Sequence, residues 1–176
     1  MTTPTGAAFD VVLMAHIGFV LVGLASVLVT GTQAWRARAG PSGAGAGSVT
    51  RFFRPGINWP GRALYLVVIL GVALVSMSQG AYRLDDSFVE LGFVLWVAAV
   101  AIAELLVWPG ERILQRVVSQ RWLRDPVLSS PAESTTQKFG LPDDVEAKRI
   151  ATRVALSSWL VCGLIVSATV VMVQKP

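Results

Sequence analysis

Cysteine and histidine are nearly missing from this chain: each occurs once, as Cys162 and His16. One cysteine cannot close an intramolecular disulfide, nor supply a Cys-based zinc site or an iron–sulfur cluster. One histidine cannot ligate a haem from both faces. Charge is scarce as well, at 15% of residues against roughly 25% in a soluble globular domain. A P-loop, a GxGxxG fingerprint, an HExxH pair, paired carboxylates and internal repeats are all absent. With no nucleophile–base constellation visible, the sequence points away from an enzyme.

Apolar residues are what the chain has in excess, 53% of the total, with a mean hydropathy of +0.60. They fall into four long runs, at about 9–30, 63–79, 88–108 and 150–173. A hydrocarbon layer about 30 Å thick needs roughly 20 largely apolar residues per helix. The predicted fold class is therefore all-α, a four-helix transmembrane bundle forming one integral membrane domain over residues 1–176. The six tryptophans agree, since Trp collects at membrane–water interfaces.

The distribution of positive charge predicts the topology. Of fifteen basic residues, the 31–62 loop holds Arg36, Arg38, Arg51, Arg54 and Arg62, and the region after the third run holds eight more, from Arg112 to Arg153. The short loop between the second and third runs holds Arg83 against Asp85, Asp86 and Glu90. Basic loops stay in the cytoplasm, so loops 31–62 and 109–149 are expected inside and both termini outside. This distribution also explains the net charge of +4 without a nucleic-acid partner. The Arg-rich, Lys-poor, Ala/Val/Gly-rich composition resembles that of a GC-rich bacterium, hence an expected place in the bacterial cytoplasmic (inner) membrane. The first run lacks a basic n-region, carries Asp10 and exceeds a usual signal-peptide core, so it reads as a retained anchor.

Between the runs, AGPSGAGAGS at 39–48 reads as a mobile Gly/Ser linker. Pro60 is expected in the first turn of the second span. Trp108-Pro109-Gly110 reads as a strong break ending the third span. ERILQRVVSQRWL, with Ile113, Leu114, Val117 and Val118 on one side, is then expected to lie on the inner leaflet as an amphipathic cytoplasmic helix. Residues 125–142 read as a cytoplasmic loop, and Asp143 with Glu146 suggests a capping box opening a fourth helix that starts before the membrane.

Polar residues inside the runs are the candidate site residues. An ionisable group within a span costs about 2.5–3.5 kcal/mol at the helix centre, which makes it a functional candidate by default. Glu104 is expected about 6 Å from the inner boundary, at the level of Arg153, Ser157 and Ser158. These four are read as an intramembrane polar cluster in which Arg153 or the serine hydroxyls hold the carboxylate. A proton or ion role for Glu104 is the alternative. His16, roughly 10 Å in from the outer end, reads either as a neutral imidazole bonded to a neighbouring helix or as a metal or haem ligand. Met77 could join it for copper(I), which thioethers favour. Met14 lies on a different face from His16. Cys162 reads as a small buried hydrophobe.

The segments MAHIGFVLVG, RFFRPGINWPGRALYL and GFVLWVAAVAIAELLVWPGERILQR together resemble a bacterial group of predicted four-span integral membrane proteins of unknown function. That group is loosely similar to the membrane domain of copper-resistance D proteins. The resemblance implies a four-helix bundle and no established activity. The expected function is non-enzymatic, an accessory or assembly partner of a larger membrane complex, in contact with the lipid bilayer and with a membrane-protein partner or a second copy of itself. The expected cofactor is none, and the alternative is a transport, copper- or haem-handling module using His16.

Overall fold

The computed structural model describes residues 6–39, 44–124 and 145–174. It is an all-α four-helix bundle, with no strand among the described residues. The helices are α1 (Ala7–Ala39), α2 (Ala44–Phe52), α3 (Trp59–Met77), α4 (Ser87–Ile102), α5 (Trp108–Arg124) and α6 (Val145–Val173), with a π-turn at Ala103–Val107 joining α4 to α5. Four stretches are long and apolar enough to cross a membrane: α1, α3, the α4–α5 stretch over Ser87–Ser119, and α6. Large apolar side chains remain exposed along all four, as a chain solvated by lipid requires.

The described residues form two compact units. The first contains α1 up to Val27, then Asn58–Ala101, then α6 from Leu160. Here α1 and α3 pack antiparallel in a regular register. A Cβ on Gly23 would fall 2.6 Å from Leu64 Cδ2, and seven residues earlier His16 faces Gly71, seven residues beyond Leu64. Seven residues are two helical turns, so one seam of α1 meets one seam of α3. Asn58 caps α3: its Oδ1 accepts from Gly61 N–H at 3.3 Å and from Ser26 Oγ at 3.1 Å, tying the cap to α1. Pro60 occupies the first turn of α3, where its missing N–H costs nothing. Trp96 Nε1 donates to the Leu64 carbonyl at 3.1 Å, and Gly92 leaves room for Met172 of α6.

The turn after α3 reverses the chain through left-handed backbone at Gln79 (φ 52) and Gly80 (φ 86). Arg83 donates to Asp85 from Nε (3.0 Å) and Nη2 (3.3 Å). That hydrogen-bonded guanidinium holds the Asp85 carboxyl below its ordinary range and raises Arg83. A depressed carboxylate stabilises the fold above its ordinary pKa, and that contribution disappears as pH falls through the lowered value. Both side chains are solvated, so the effect is small.

The second unit contains Leu28–Ile57 and Ile102–Trp159. Its core joins Ala34 and Ala37 of α1, Val49 and Phe53, Leu114 and Val118 of α5, and Ala147, Ala151, Val154 and Ala155 of α6. Three sequence expectations are corrected here. Residues 44–48 belong to helix α2 rather than to a mobile linker. Val49 and Phe53, four apart on one face, are fully buried and anchor a segment whose glycines alone would not form a helix. Residues 40–43 and the capping residue Asp143 lie outside the described residues.

The second correction concerns Trp108-Pro109-Gly110, which does not break the helix. Pro109 has no N–H to donate, and in an α-helix its ring would clash with the carbonyl of Leu105. The π-turn widens the backbone there, and Trp108 N–H bonds instead to the Ala103 carbonyl five residues back. The helix of the third span thus continues into α5. Third, the amphipathic helix after that span exists, but Leu114 and Val118 face protein in the core rather than lying on lipid. Ile113 is exposed, one position off the buried stripe.

Candidate functional site

A candidate site residue of the first unit is His16, whose ring lies against α3. Gly71 makes the notch that receives its imidazole: a Cβ there would lie 3.4 Å from His16 Cε1 and 3.9 Å from Nδ1. The ring meets the backbone of Val67, one turn before Gly71, and its Nδ1 is buried without a hydrogen-bond partner. An imidazole in such a notch can offer Nδ1 as a lone pair or as a donor, according to its tautomer. Met77 is half-buried at the end of α3, six residues or about 9 Å of helix rise from Gly71. Met14 points away at 69% exposed, and Met172 fills the space left by Gly92. Cys162 is half-buried, with Sγ 3.9 Å from the Leu24 carbonyl. Among the described residues no three His, Cys, Asp or Glu side chains come together in a way that could hold a metal ion.

The second unit holds the four residues read as one polar cluster. Glu104 sits on the exposed side of the π-turn, between buried Ala103 and Val107, and Arg153 is exposed on α6. Gly110 packs against Val154, the residue after Arg153, and Glu104 is engaged by its surroundings. Ser157 and Ser158 point inward instead. Ser157 Oγ donates back to the Arg153 carbonyl at 2.7 Å, so its hydroxyl is committed to its own helix. Ser158 is fully buried against Gly31 of α1, and its Oγ has no hydrogen-bond partner. The continuous α4–α5 helix carries the rotation that the π-turn introduces.

That same turn accounts for a residue the sequence reading passed over. Glu111 is buried to 4% exposure and is engaged by its surroundings. It opens the segment expected to lie on the inner leaflet, and it is not singled out there as a site residue. The spacing Glu111, Leu114, Val118 is the signal that finds it, because residues three and seven apart share a helix face.

Other in-span hydroxyls behave like Ser157. Thr32, Ser76, Thr152 and Thr169 each bond the carbonyl four residues back, at 2.8 to 2.9 Å. Ser78 Oγ bonds the Val75 carbonyl at 2.7 Å and accepts from Tyr82 N–H at 3.1 Å, closing the end of α3. These hydroxyls are therefore spent on their own backbone, and Ser26, Asn58 and Trp96 on stitching helices together. No protein-family model matches the chain, and neither a curated protein nor a solved structure matches it.

Proposed function

We propose that this multi-pass membrane protein acts without catalysis, as an accessory or assembly partner of a larger complex in the bacterial cytoplasmic membrane. The observation that carries this reading is the commitment of the in-span hydroxyls at Thr32, Ser76, Thr152, Ser157 and Thr169 to their own backbone. Ser26, Asn58 and Trp96 join helices within the chain, and the back-bonded hydroxyls present no polar path. What the spans offer outward is apolar surface, suited to lipid and to other helices. Membership of the four-span family resembled by the quoted segments belongs to the same proposal.

Solubilisation of native membranes in a mild detergent, with the chain tagged at its natural level, tests this. A stoichiometric membrane-protein partner is expected, recovered again when that partner carries the tag and depleted when this gene is deleted. A chain that purifies alone, with no membrane protein changing in abundance on its deletion, overturns the assembly role.

The proposed orientation places both termini outside and loops 31–62 and 109–149 in the cytoplasm, motivated by the basic residues those regions carry. Topology reporters after Gly45 and within 128–138 should report cytoplasm, and one at Asp85 should report the outside. An external signal at Gly45 inverts the arrangement.

The unpartnered Nδ1 of His16 supports a second reading, a transport, metal- or haem-handling module. His16→Gln should leave folding, insertion and any cofactor content unchanged if the imidazole is structural. Loss of a Soret band or of bound copper on that substitution favours the second reading over the first.

A further inference from the structure

The end of α1 and the middle of α6 carry a feature that helix assembly does not require. Gly31 and Ser158 bring these helices together: a Cβ on Gly31 would lie 2.8 Å from Ser158 Cβ. One turn beyond Gly31, the rings of Trp35 and Trp159 meet, with centroids 5.4 Å apart and planes inclined at 48°. Both indoles remain open to the surroundings, at 40% and 38% exposure. The Arg38 guanidinium lies 4.6 Å over the Trp35 ring. Arg38 is itself exposed, and among the described residues no carboxylate pairs with it. Leu28, two turns back from Trp35 on the same face, is exposed toward the apolar zone.

We propose that the Trp35–Trp159 pair and Arg38 form a seat for an anionic glycerophospholipid. Its phosphate would meet the Arg38 guanidinium, its glycerol region would lie on the paired indoles, and an acyl chain would run along Leu28. Each part matches one part of such a lipid. Arg presents a planar fork of donors suited to phosphate oxygens, tryptophan belongs at the headgroup level, and a leucine two turns, about 10 Å, away reaches the hydrocarbon. Stacking on Trp35 already restricts the guanidinium, so less freedom is lost when the phosphate arrives. The neighbouring described acids, Glu104, Glu111 and Glu146, lie on the π-turn, α5 and the first turn of α6, not on this end of α1. A zwitterionic lipid adds its own cation beside Arg38 and gains less. The assignment to the inner leaflet rests on the proposed orientation; the seat itself does not.

The test uses the full chain in mild detergent, with native mass spectrometry of equimolar phosphatidylglycerol and phosphatidylcholine. The wild type should retain phosphatidylglycerol in preference. Arg38→Gln should reduce that preference roughly fivefold, the scale of one basic residue at an anionic surface. Arg112→Gln, which changes an exposed arginine of α5, should leave it within about twofold on the same scale. Equal retention of the two lipids by the wild type, or a preference unmoved by Arg38→Gln, overturns the proposal. Should Arg38→Gln fail to fold, the wild type in vesicles decides. Tryptophan quenching by brominated phosphatidylglycerol should exceed that by brominated phosphatidylcholine and should lose that excess in Trp35→Phe/Trp159→Phe; equal quenching overturns the seat. Vesicles present the lipid on both sides, so a reversed topology cannot be mistaken for a failed seat.

Discussion

Gly31→Leu is expected to lower the unfolding midpoint of the purified protein by roughly 10 °C, corresponding to about 3 kcal/mol. Even a first side-chain carbon on Gly31 would sit 2.8 Å from Ser158 Cβ and within 3.3 Å of the Trp159 indole. Ser158 is fully buried and cannot swing aside, so the α1 and α6 backbones would have to separate. Small residues at helix crossings matter in membranes because association there depends on close packing rather than on expulsion of water. Gly31→Ala alone should be milder, and Ser158→Gly made with it should recover most of the loss by removing the opposing carbon. Circular dichroism during heating or an SDS titration measures each variant. A Gly31→Leu protein that melts within about 2 °C of wild type, no more than the shift expected for about 1 kcal/mol, would show that this crossing carries no close packing.

The second large effect concerns the π-turn. A single π-turn holds one residue more than the α-helix it interrupts. Removing one residue from Ala103–Val107 should let the backbone close into an α-helix while keeping Leu114 and Val118 directed at the core. Leu105 is the residue to delete, because it is 74% exposed. Pro109 would then meet a carbonyl four residues back, so Pro109→Ala must accompany the deletion. This variant should keep its stability within about 1 kcal/mol, having lost only an exposed side chain. Deleting Arg112 instead leaves the π-turn in place and rotates the rest of α5 by about 100°. Leu114 and Val118 would then leave the core, costing about 4 kcal/mol or more. Equal stability of the two deletions would mean that the phase of α5 is not set by the π-turn.

Much of this architecture was legible in the sequence because it depends on local properties. Whether a stretch can span a bilayer depends on its length and apolar content, and Pro60 marks the start of α3 because a missing N–H is harmless only in a first turn. The asymmetry of basic residues that motivates the proposed orientation is likewise written in the sequence alone. Tertiary structure decided what depends on rotation and contact. Val49 and Phe53 turned a glycine-rich segment into a helix by burying one face of it. The π-turn carried the third span past Pro109, so Leu114 and Val118 entered a core and Glu111 became buried. It also left Glu104 on the exposed side of its helix. His16 lies against Gly71, and Ser158 against Gly31, because antiparallel helices meet in a specific register. A shift of one residue rotates a helix face by about 100°. Hydropathy is nearly indifferent to that rotation, and the packing that fixes it exists only once the helices have met.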